Sequence, residues 1–394
     1  MRVVKCVVQP YTPSPGVIGL LQDFRLMLND CIRIGIREDV TSMKSLSSKA
    51  YDQLSRYDIA TCYRLTAISK ARGILSNYRK SLKKNLHAKI PYAKRLALVD
   101  CYGFRIQGKS LRLTLKPHRY EFIDLNAHTL ETIADKTVRS LTLTSETLSI
   151  CYSKEVEDVR PRGFIGIDSN LDNITTASSN GQVETFDLSK ATRIKEDYSD
   201  IKSHFARNDA RVMRSVFGKY GILQRNRVGW ILNNVSASVV KQAKVKGFSI
   251  VMENIKGIRN LHRRGNGRGK RLRSRLNSWS FHQLQREIEY KARWEGIPVI
   301  YVAAWGTSAK CSICGSKTYP NERRTLHCPK CKTTVDRDVN AARNIVAKGA
   351  LRFGADGFAG EAVKGNEMRT PILQVDADQL TSEANSVSQR VDGT

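Results

Sequence analysis

The sequence predicts two folded parts in series: an N-terminal β-barrel interrupted by helices, and a C-terminal α/β domain carrying a small cysteine-knuckle insertion. Three observations predict it. Short alternating apolar patterns flank a helical stretch before Pro161, apolar strands ending in carboxylates alternate with helices after it, and four late cysteines come as two close pairs. At ~100–200 residues per domain, 394 residues hold two or three domains. With 41% apolar and 26% charged residues, the chain has the material for real cores and is not globally disordered.

Arg2–Val8 is β-rich and stops at Pro10, with Pro13 and Pro15 following, so a strand runs into a bend. Leu20, Phe24, Met27, Leu28, Cys31 and Ile32 then recur at three and four, as do Ile59, Tyr63, Ala67, Ala71, Ile74, Tyr78 and Leu82. That spacing predicts two amphipathic helices. The second presents Arg64, Lys70, Arg72, Arg79, Lys80, Lys83 and Lys84 on another face, which we assign to phosphate contact, with Arg64, Arg72, Arg79 and Lys83 as the chosen contacts. From Pro91 to about Glu155 the pattern alternates, as in Phe104–Leu115 and Ser140–Tyr152, with turns at Gln107–Gly108 and Ser145–Glu146. These antiparallel strands, with Arg2–Val8, are expected to close the barrel. The N-terminal part is set at 1–162, its helical insert at about 16–88.

Gly163–Asp168 is a short apolar strand ending in a carboxylate. Ile174–Ser178, the turn Ser179-Asn180-Gly181 and Val183–Asp187 follow as a hairpin. Residues 188–247 are mainly helical and basic, with Ile231, Val235, Val239 and Ala243 on one stripe, and Phe248–Met252 leads into Glu253, a second strand ended by an acid. Residues 256–275 hold nine Lys/Arg, four Gly and no acid, so they bury no core and are expected to be ordered by a polyanion, through Arg263, Arg264, Arg268, Lys270 and Arg271. A helix at about Trp279–Glu295, a strand at Pro298–Ala303, the cysteine pairs and a helix at about Asp338–Lys348 complete a domain set at 163–350. The acidic remainder, 351–394, is expected to be disordered.

The charge narrows the partners. Sixty-six Lys+Arg against 37 Asp+Glu leave +29, and the tail is net acidic, so the surplus sits on the folded part. A polyanion is implied. Nucleic acid fits better than lipid, because no basic amphipathic helix with a broad apolar face stands out. No apolar run nears the ~18 residues of a membrane span, and Met1–Pro10 is too short and strand-like for a leader, so a cytoplasmic, nucleoid-associated protein is expected.

Cys6, Cys31, Cys62, Cys101 and Cys151 are isolated and are expected to be reduced, buried thiols. Cys311-Ser-Ile-Cys314 and Cys328-Pro-Lys-Cys331 lie thirteen residues apart, the spacing that lets four thiolates surround one tetrahedral zinc. Redox pairs rarely flank a short polar hairpin in this way, so a zinc ribbon at about 306–334 is the reading.

Asp168, Glu253 and Asp338 are 85 residues apart at each step, so only a fold joining two strand ends to a helix makes them one site. Ribonuclease-H-like nucleases do this, with an antiparallel hairpin after the first strand. Hydrolysis of a phosphodiester calls for two divalent ions ~3.5–4 Å apart, and hard Mg²⁺ takes carboxylate oxygens. Asp336 fits a helix N-cap and Asp338 a first-turn ligand, while Ala341 and Ala342 are small enough to let the helix lie close to the sheet.

Taken together, Gly166-Ile-Asp168, Met252–Ile255, Trp279–Leu284, Tyr290-Lys-Ala292, Gly296–Val299, Thr307–Gly315 and Asp336–Ala342 resemble the transposon-encoded TnpB family over about 163–349. The N-terminal half resembles it only in pattern. The resemblance implies a RuvC-like, RNase H-like nuclease domain with a zinc ribbon between its last strand and last helix, after a wedge barrel interrupted by a helical recognition domain. It further implies an RNA-guided DNA endonuclease related to compact type V CRISPR effectors, with a guide RNA from the transposon end, double-stranded target DNA and one chain per guide RNA. Carried over, the catalytic magnesium ligands are Asp168, Glu253 and Asp338, and the zinc ligands Cys311, Cys314, Cys328 and Cys331. Two departures stand out: Ser169-Asn170 replaces an apolar residue and Gly, and Lys332 replaces a Gly after the second knuckle. The competing readings are a nuclease-inactive RNA-guided regulator and a transposase, or its DNA-binding accessory, acting by strand transfer.

Overall fold

The computed structural model describes residues 1–84, 88–157, 160–205, 208–255 and 269–355, and these fall into two compact units that divide between Glu155 and Val156. The tail expected to be disordered lies, from residue 356 on, outside the described residues.

In the first unit, β1 (Arg2–Pro10) leads to the helices α1 (Pro15–Arg37), α2 (Met43–Ala50) and α3 (Cys62–Lys84). Ser14 caps α1, its Oγ accepting from the Val17 N–H at 3.2 Å, and Pro15 supplies a first-turn residue that has no N–H to satisfy. The apolar stripe of α1, through Leu20, Leu21, Phe24, Met27 and Leu28, packs on the Tyr63, Ala67, Ile68 and Ala71 face of α3. The strands that follow are β2 (Ala97–Asp100), β3 (Phe104–Gln107), β4 (Ser110–Lys116) and β5 (Arg119–Asp124); after the short α4 (Ala127–Ile133) come β6 (Thr137–Thr144) and β7 (Thr147–Glu155). Among the described residues they do not hydrogen-bond into one closed ring. They form two antiparallel sheets, β1-β7-β6-β2 and β3-β4-β5.

One cysteine reading is overturned here. The β1–β7 register sets Cys6 directly opposite Cys151, with Cα atoms 4.1 Å apart, and the two form a disulfide. A separation of 145 residues hid the pair from sequence reading. Burial pushes the remaining thiols of this unit up, Cys31 to about 12 and Cys62 and Cys101 to about 11, which makes them inert.

The second unit is built on a five-stranded sheet of order β10-β9-β8-β11-β12. β8 (Gly163–Ser169), β9 (Asn173–Ser178) and β10 (Val183–Asp187) form an antiparallel meander. β11 (Phe248–Asn254) and β12 (Val299–Ala303) join parallel to β8. Between β10 and β11 run α5 (Ser189–Ser203), α6 (Ala210–Val212), a π-helical turn at Met213–Phe217 and α7 (Gly218–Lys246); α8 (Lys270–Ser278) and α9 (Phe281–Trp294) precede β12. A small antiparallel sheet follows, β13 (Tyr319–Pro320), β14 (Thr325–Cys328) and β15 (Thr333–Asp336), and the chain enters α10 (Arg337–Ala355).

Strand alternation decides which side chains meet which helix. Ile165 and Ile167 of β8 and Ile250 and Met252 of β11 join Val239, Leu284 and Ile288 in a core under α7 and α9. On the opposite face, Val251 packs with Val302 and with Ile345 of α10. Gly166 shares that second face, and there only glycine fits. A Cβ at Gly166 would lie 2.4 Å from the Ala342 carbonyl oxygen and 2.8 Å from the Val346 nitrogen. Helix α10 therefore rests directly on β8.

Candidate active site

Period-two alternation places Asp168 on the face of Gly166 and Glu253 on the face of Val251, the side covered by α10. The parallel register pairs Ile167 with Met252, so the two acids are the next residues along adjacent strands. Asp338 sits in the first turn of α10, 5% exposed. Asp336 caps that helix as expected, its Oδ1 accepting from the N–H groups of Asp338 at 2.8 Å and Val339 at 3.1 Å.

The charges act on one another. The Asp168 carboxyl is pushed up to about 7, first by burial and then by repulsion from Glu253 and Asp338. Asn170 and Arg337 oppose that rise, Asn170 by donating its Nδ2–H to Asp168 Oδ2 at 2.8 Å. Burial also raises Glu253, against a hydrogen bond from the Thr307 hydroxyl to its Oε1 at 2.7 Å and the charge of Lys348. Asp338 accepts from Arg324 Nη2 on both oxygens, at 2.6 and 2.7 Å, and the Arg324 guanidinium also feels Asp168. The three acids act on one another's charge at Asp168, and burial drives Asp168 and Glu253 toward protonation.

Beside them, the Sγ atoms of Cys311, Cys314, Cys328 and Cys331 all lie within 4.8 Å of one another. Four thiolates ~2.3 Å from a tetrahedral Zn²⁺ stand nearly that close, so this group could hold zinc. Hydrogen bonds from Ser316 and from the Cys331 thiol pull Cys314 down to about 6, the thiolate form a metal needs. Residues after each knuckle turn left-handed, Gly315 at φ 74° and Lys332 at φ 55°. The Lys332 departure thus falls where glycine is favoured. α10 is tied to this module by Asn340, whose side chain bonds the Lys310 carbonyl at 2.7 Å and the Ser312 N–H at 2.8 Å, and by Asn344, bonded to the Thr307 and Lys310 carbonyls.

The basic contacts expected on α3 differ in how free they are. Arg72 and Lys83 are exposed on α3, but Arg79 is engaged by Asp39 and by Thr41 Oγ1 at 3.1 Å, and Arg64 is half-buried, its guanidinium 5.7 Å from the Tyr51 ring centre. Lys70 turns inward, donating to the Ala97 carbonyl at 3.3 Å, and burial lowers it to about 8. Arg263, Arg264 and Arg268 lie outside the described residues, as do the side chains of Lys270 and Arg271. Sequence reading missed Asn170, Thr307, Arg324 and Lys348, polar residues that gain meaning only once the acids are in place.

A family model described as the Cas12f1-like TNB domain matches residues 281–345, from α9 through the cysteine group into α10. A TnpB-like protein of Methanocaldococcus jannaschii is 28% identical over 260 residues, covering 62% of this chain and 92% of that protein. This chain is similar to TnpB-family proteins. A second TnpB-like protein of the same organism is 22% identical over 350 residues, 86% of this chain and 80% of its own length. The CRISPR-associated endodeoxyribonuclease Cas12f1 of Sulfoacidibacillus thermotolerans is 35% identical over 99 residues, 25% of this chain and 21% of that protein. Among solved structures, a Cas12f1–sgRNA–target DNA complex matches with a TM-score of 0.54 at 15% identity, covering 84% of this chain and 81% of that one. That likeness is one of fold. Among the described residues no helix is long and apolar enough to cross a membrane.

Proposed function

We propose that this chain is a TnpB-type, RNA-guided DNA endonuclease of a transposable element, cutting target DNA at Asp168, Glu253 and Asp338 with magnesium. The observation that carries it is the convergence of those three carboxylates from two strand ends and a helix start, where burial and then repulsion from Glu253 and Asp338 lift Asp168 to about 7. The relative named as a CRISPR-associated endodeoxyribonuclease and the structural neighbour solved with sgRNA and target DNA favour the same reading. The net charge of +29 fits a polyanionic guide and target.

When bound, a pair of Mg²⁺ ions supplies an activated water and a stabilised leaving oxygen. The chain's own residues set the geometry. Glu253 is oriented by Thr307, Asp168 by Asn170, and Asp338 by the helix start that Asp336 caps. Arg324 and Lys348 offset part of the negative charge in the metal-free protein and give a phosphate a cationic approach. The cysteine group, as a zinc ribbon, fixes the Thr307–Lys310 segment against α10. Sequence recognition falls to base pairing by one guide RNA per chain. Arg72 and Lys83 on α3 are its first candidate contacts, with Arg64, Arg79 and the 263–271 arginines and lysine as the remainder.

The test is cleavage of a duplex matched to the guide RNA that copurifies with the protein, with Mg²⁺, by the parent and by Asp168→Ala. The variant is expected to lose at least about a hundredfold in rate. Equal cutting by the variant overturns the site. Joined strands rather than free ends identify a transposase, and unchanged DNA bound by an RNA-loaded parent identifies a regulator.

A further inference from the structure

Nothing in the proposed chemistry uses the bond between Cys6 and Cys151. Its two sulfurs are not equivalent. Cys6 is exposed on β1, an edge strand of the sheet β1-β7-β6-β2, while Cys151 is 8% exposed on β7, between β1 and β6. A thiol in solution therefore reaches Cys6 first and expels the buried Cys151 sulfur, the attack by which disulfides open. Exposed disulfides are the labile kind.

The strands keep the pair aligned whether or not it is bonded. β1 and β7 run in register from Arg2 opposite Glu155 to Pro10 opposite Thr147, with Cys6 and Cys151 mid-way. Past the bond, β1 is held by Gln9, which donates to the Asp124 carbonyl at 2.8 Å and accepts from the Asn126 N–H at 3.2 Å. Tyr11 adds an N–H bond to the Glu146 carbonyl at 3.1 Å. Opening the bond thus leaves two thiols facing each other, ready to close again. Cys31, Cys62 and Cys101 do not compete for them, since burial holds all three protonated. What the bond changes is the unfolded chain. It spans a separation of 145 residues and so encloses α1 to α4 and β2 to β6. Cross-linking so long a loop removes conformational freedom from the unfolded unit, and opening it restores that freedom.

We infer that Cys6 and Cys151 are a reversible modification site for small thiols and disulfides, and that its oxidation state sets the stability of the first unit. In the closing direction the Cys6 thiolate attacks a small-molecule disulfide, forms a mixed disulfide and releases one thiolate, which takes up the proton Cys6 lost. Cys151, deprotonated in turn, attacks Cys6 Sγ, forms the internal bond and releases the second thiol. Two electrons and two protons pass from the cysteines to the small disulfide, and opening by two thiols is the reverse. Neither the acids nor a metal enters, so the site stands whether or not the nuclease reading does.

The experiment equilibrates the full-length chain in mixtures of glutathione and its disulfide, traps free thiols by alkylation and reads Cys6 and Cys151 by peptide mass spectrometry. The two should convert together. They should pass from about a tenth to about nine-tenths bonded over a roughly hundredfold change in the squared glutathione concentration divided by that of its disulfide, as a two-electron couple requires. Amide exchange across residues 2–155 reads the stability, and on reduction the slowest amides there should speed up at least about thirtyfold. Cys6→Ser should exchange at the reduced rate in every mixture, and Cys6→Ala serves if serine disturbs the circular dichroism. A bond that stays closed in glutathione alone is a fixed cross-link and overturns the site. So does a Cys6 that stays free in glutathione disulfide, or that bonds glutathione or another cysteine in place of Cys151. An equal speed-up on reduction in the serine or alanine variant overturns the link to stability.

Discussion

The carboxylate cluster and the cysteine cluster lie in the same unit and both bring ionisable groups together, yet they are assembled in opposite ways. Cys311, Cys314, Cys328 and Cys331 come from one short segment around three strands of two to four residues, with little apolar cover beyond Leu326. Asp168, Glu253 and Asp338 come from β8, β11 and α10, elements whose apolar faces make the main core. A segment that small does not hold four thiolates together without the ion, so metal binding there is folding. The acids are held by packing that needs no metal, and they meet against their own repulsion. On the proposed reading, one site is made by its ion and the other is made for it.

The most severe way to break that comparison is at the cysteines. Cys311→Ser should drop bound zinc below one per chain and unfold 306–334 locally, since structural zinc supplies on the order of 10 kcal/mol of apparent binding energy. Atomic emission and amide exchange of that segment check it, and full zinc with parental protection refutes it. Asp168 exchange should change far less, because β8 does not depend on the ribbon for its strand partners.

The acid cluster should instead be breakable without touching an acid. Gly166→Val places a side chain against the Ala342 carbonyl and Val346 nitrogen, backbone atoms that cannot swing aside. Overpacking of this kind costs about 1–3 kcal/mol or more, and here it also lifts Asp338 away from Asp168. Thermal unfolding and Mn²⁺ binding by electron paramagnetic resonance should both fall while zinc content holds. Loss of zinc with manganese binding intact would reverse the proposed division of labour.

Much of this division was legible in the chain. The cysteine spacing is local, and the acids could be joined because Gly163–Asp168 and Phe248–Glu253 each end apolar strands with an acid. The small Ala341 and Ala342 announced the close helix. What stayed hidden is long-range and singular. Nothing near Arg324 marks it as the partner of Asp338, Asn170 looks like a departure until its amide is seen on Asp168, and Cys6 meets Cys151 only through strand register. The Lys70 turn inward was equally unreadable, because an amphipathic stripe shows which face is apolar but not where a long stem bends at its edge. The barrel expectation is not confirmed by the sheet pairing among the described residues, since alternation specifies strands but not which edges join.

The burial of Asp168 and the repulsion it meets from Glu253 and Asp338 have a pH signature. A carboxyl at about 7 when folded and near its ordinary ~4 when unfolded binds its proton more tightly in the folded state. Stability from this group is therefore greatest at low pH and is lost as pH rises from about 4 to about 7, by at most ~4 kcal/mol. Asp168→Asn, which keeps the shape and cannot ionise, should in EDTA match the parent near pH 4 and be the more stable protein near pH 8. Saturating Mg²⁺ should shrink that advantage. An asparagine variant that is the less stable protein near pH 8 without metal would mean the acids are not in conflict.

The smallest effect sharpens the other side. The two knuckles turn alike, but the left-handed residue is Gly315 in one and Lys332 in the other. A side chain in that conformation costs about 1 kcal/mol relative to glycine. Lys332→Gly should therefore tighten zinc about fivefold in competition with a chelator, a gain of ~1 kcal/mol. Glycine also loosens the unfolded segment, so the gain should be smallest where the metal-free ribbon is most disordered. The same substitution should leave Mn²⁺ binding at the acids unchanged. If both metals tighten together, the ribbon is setting the acids as well, and the core alone does not hold them.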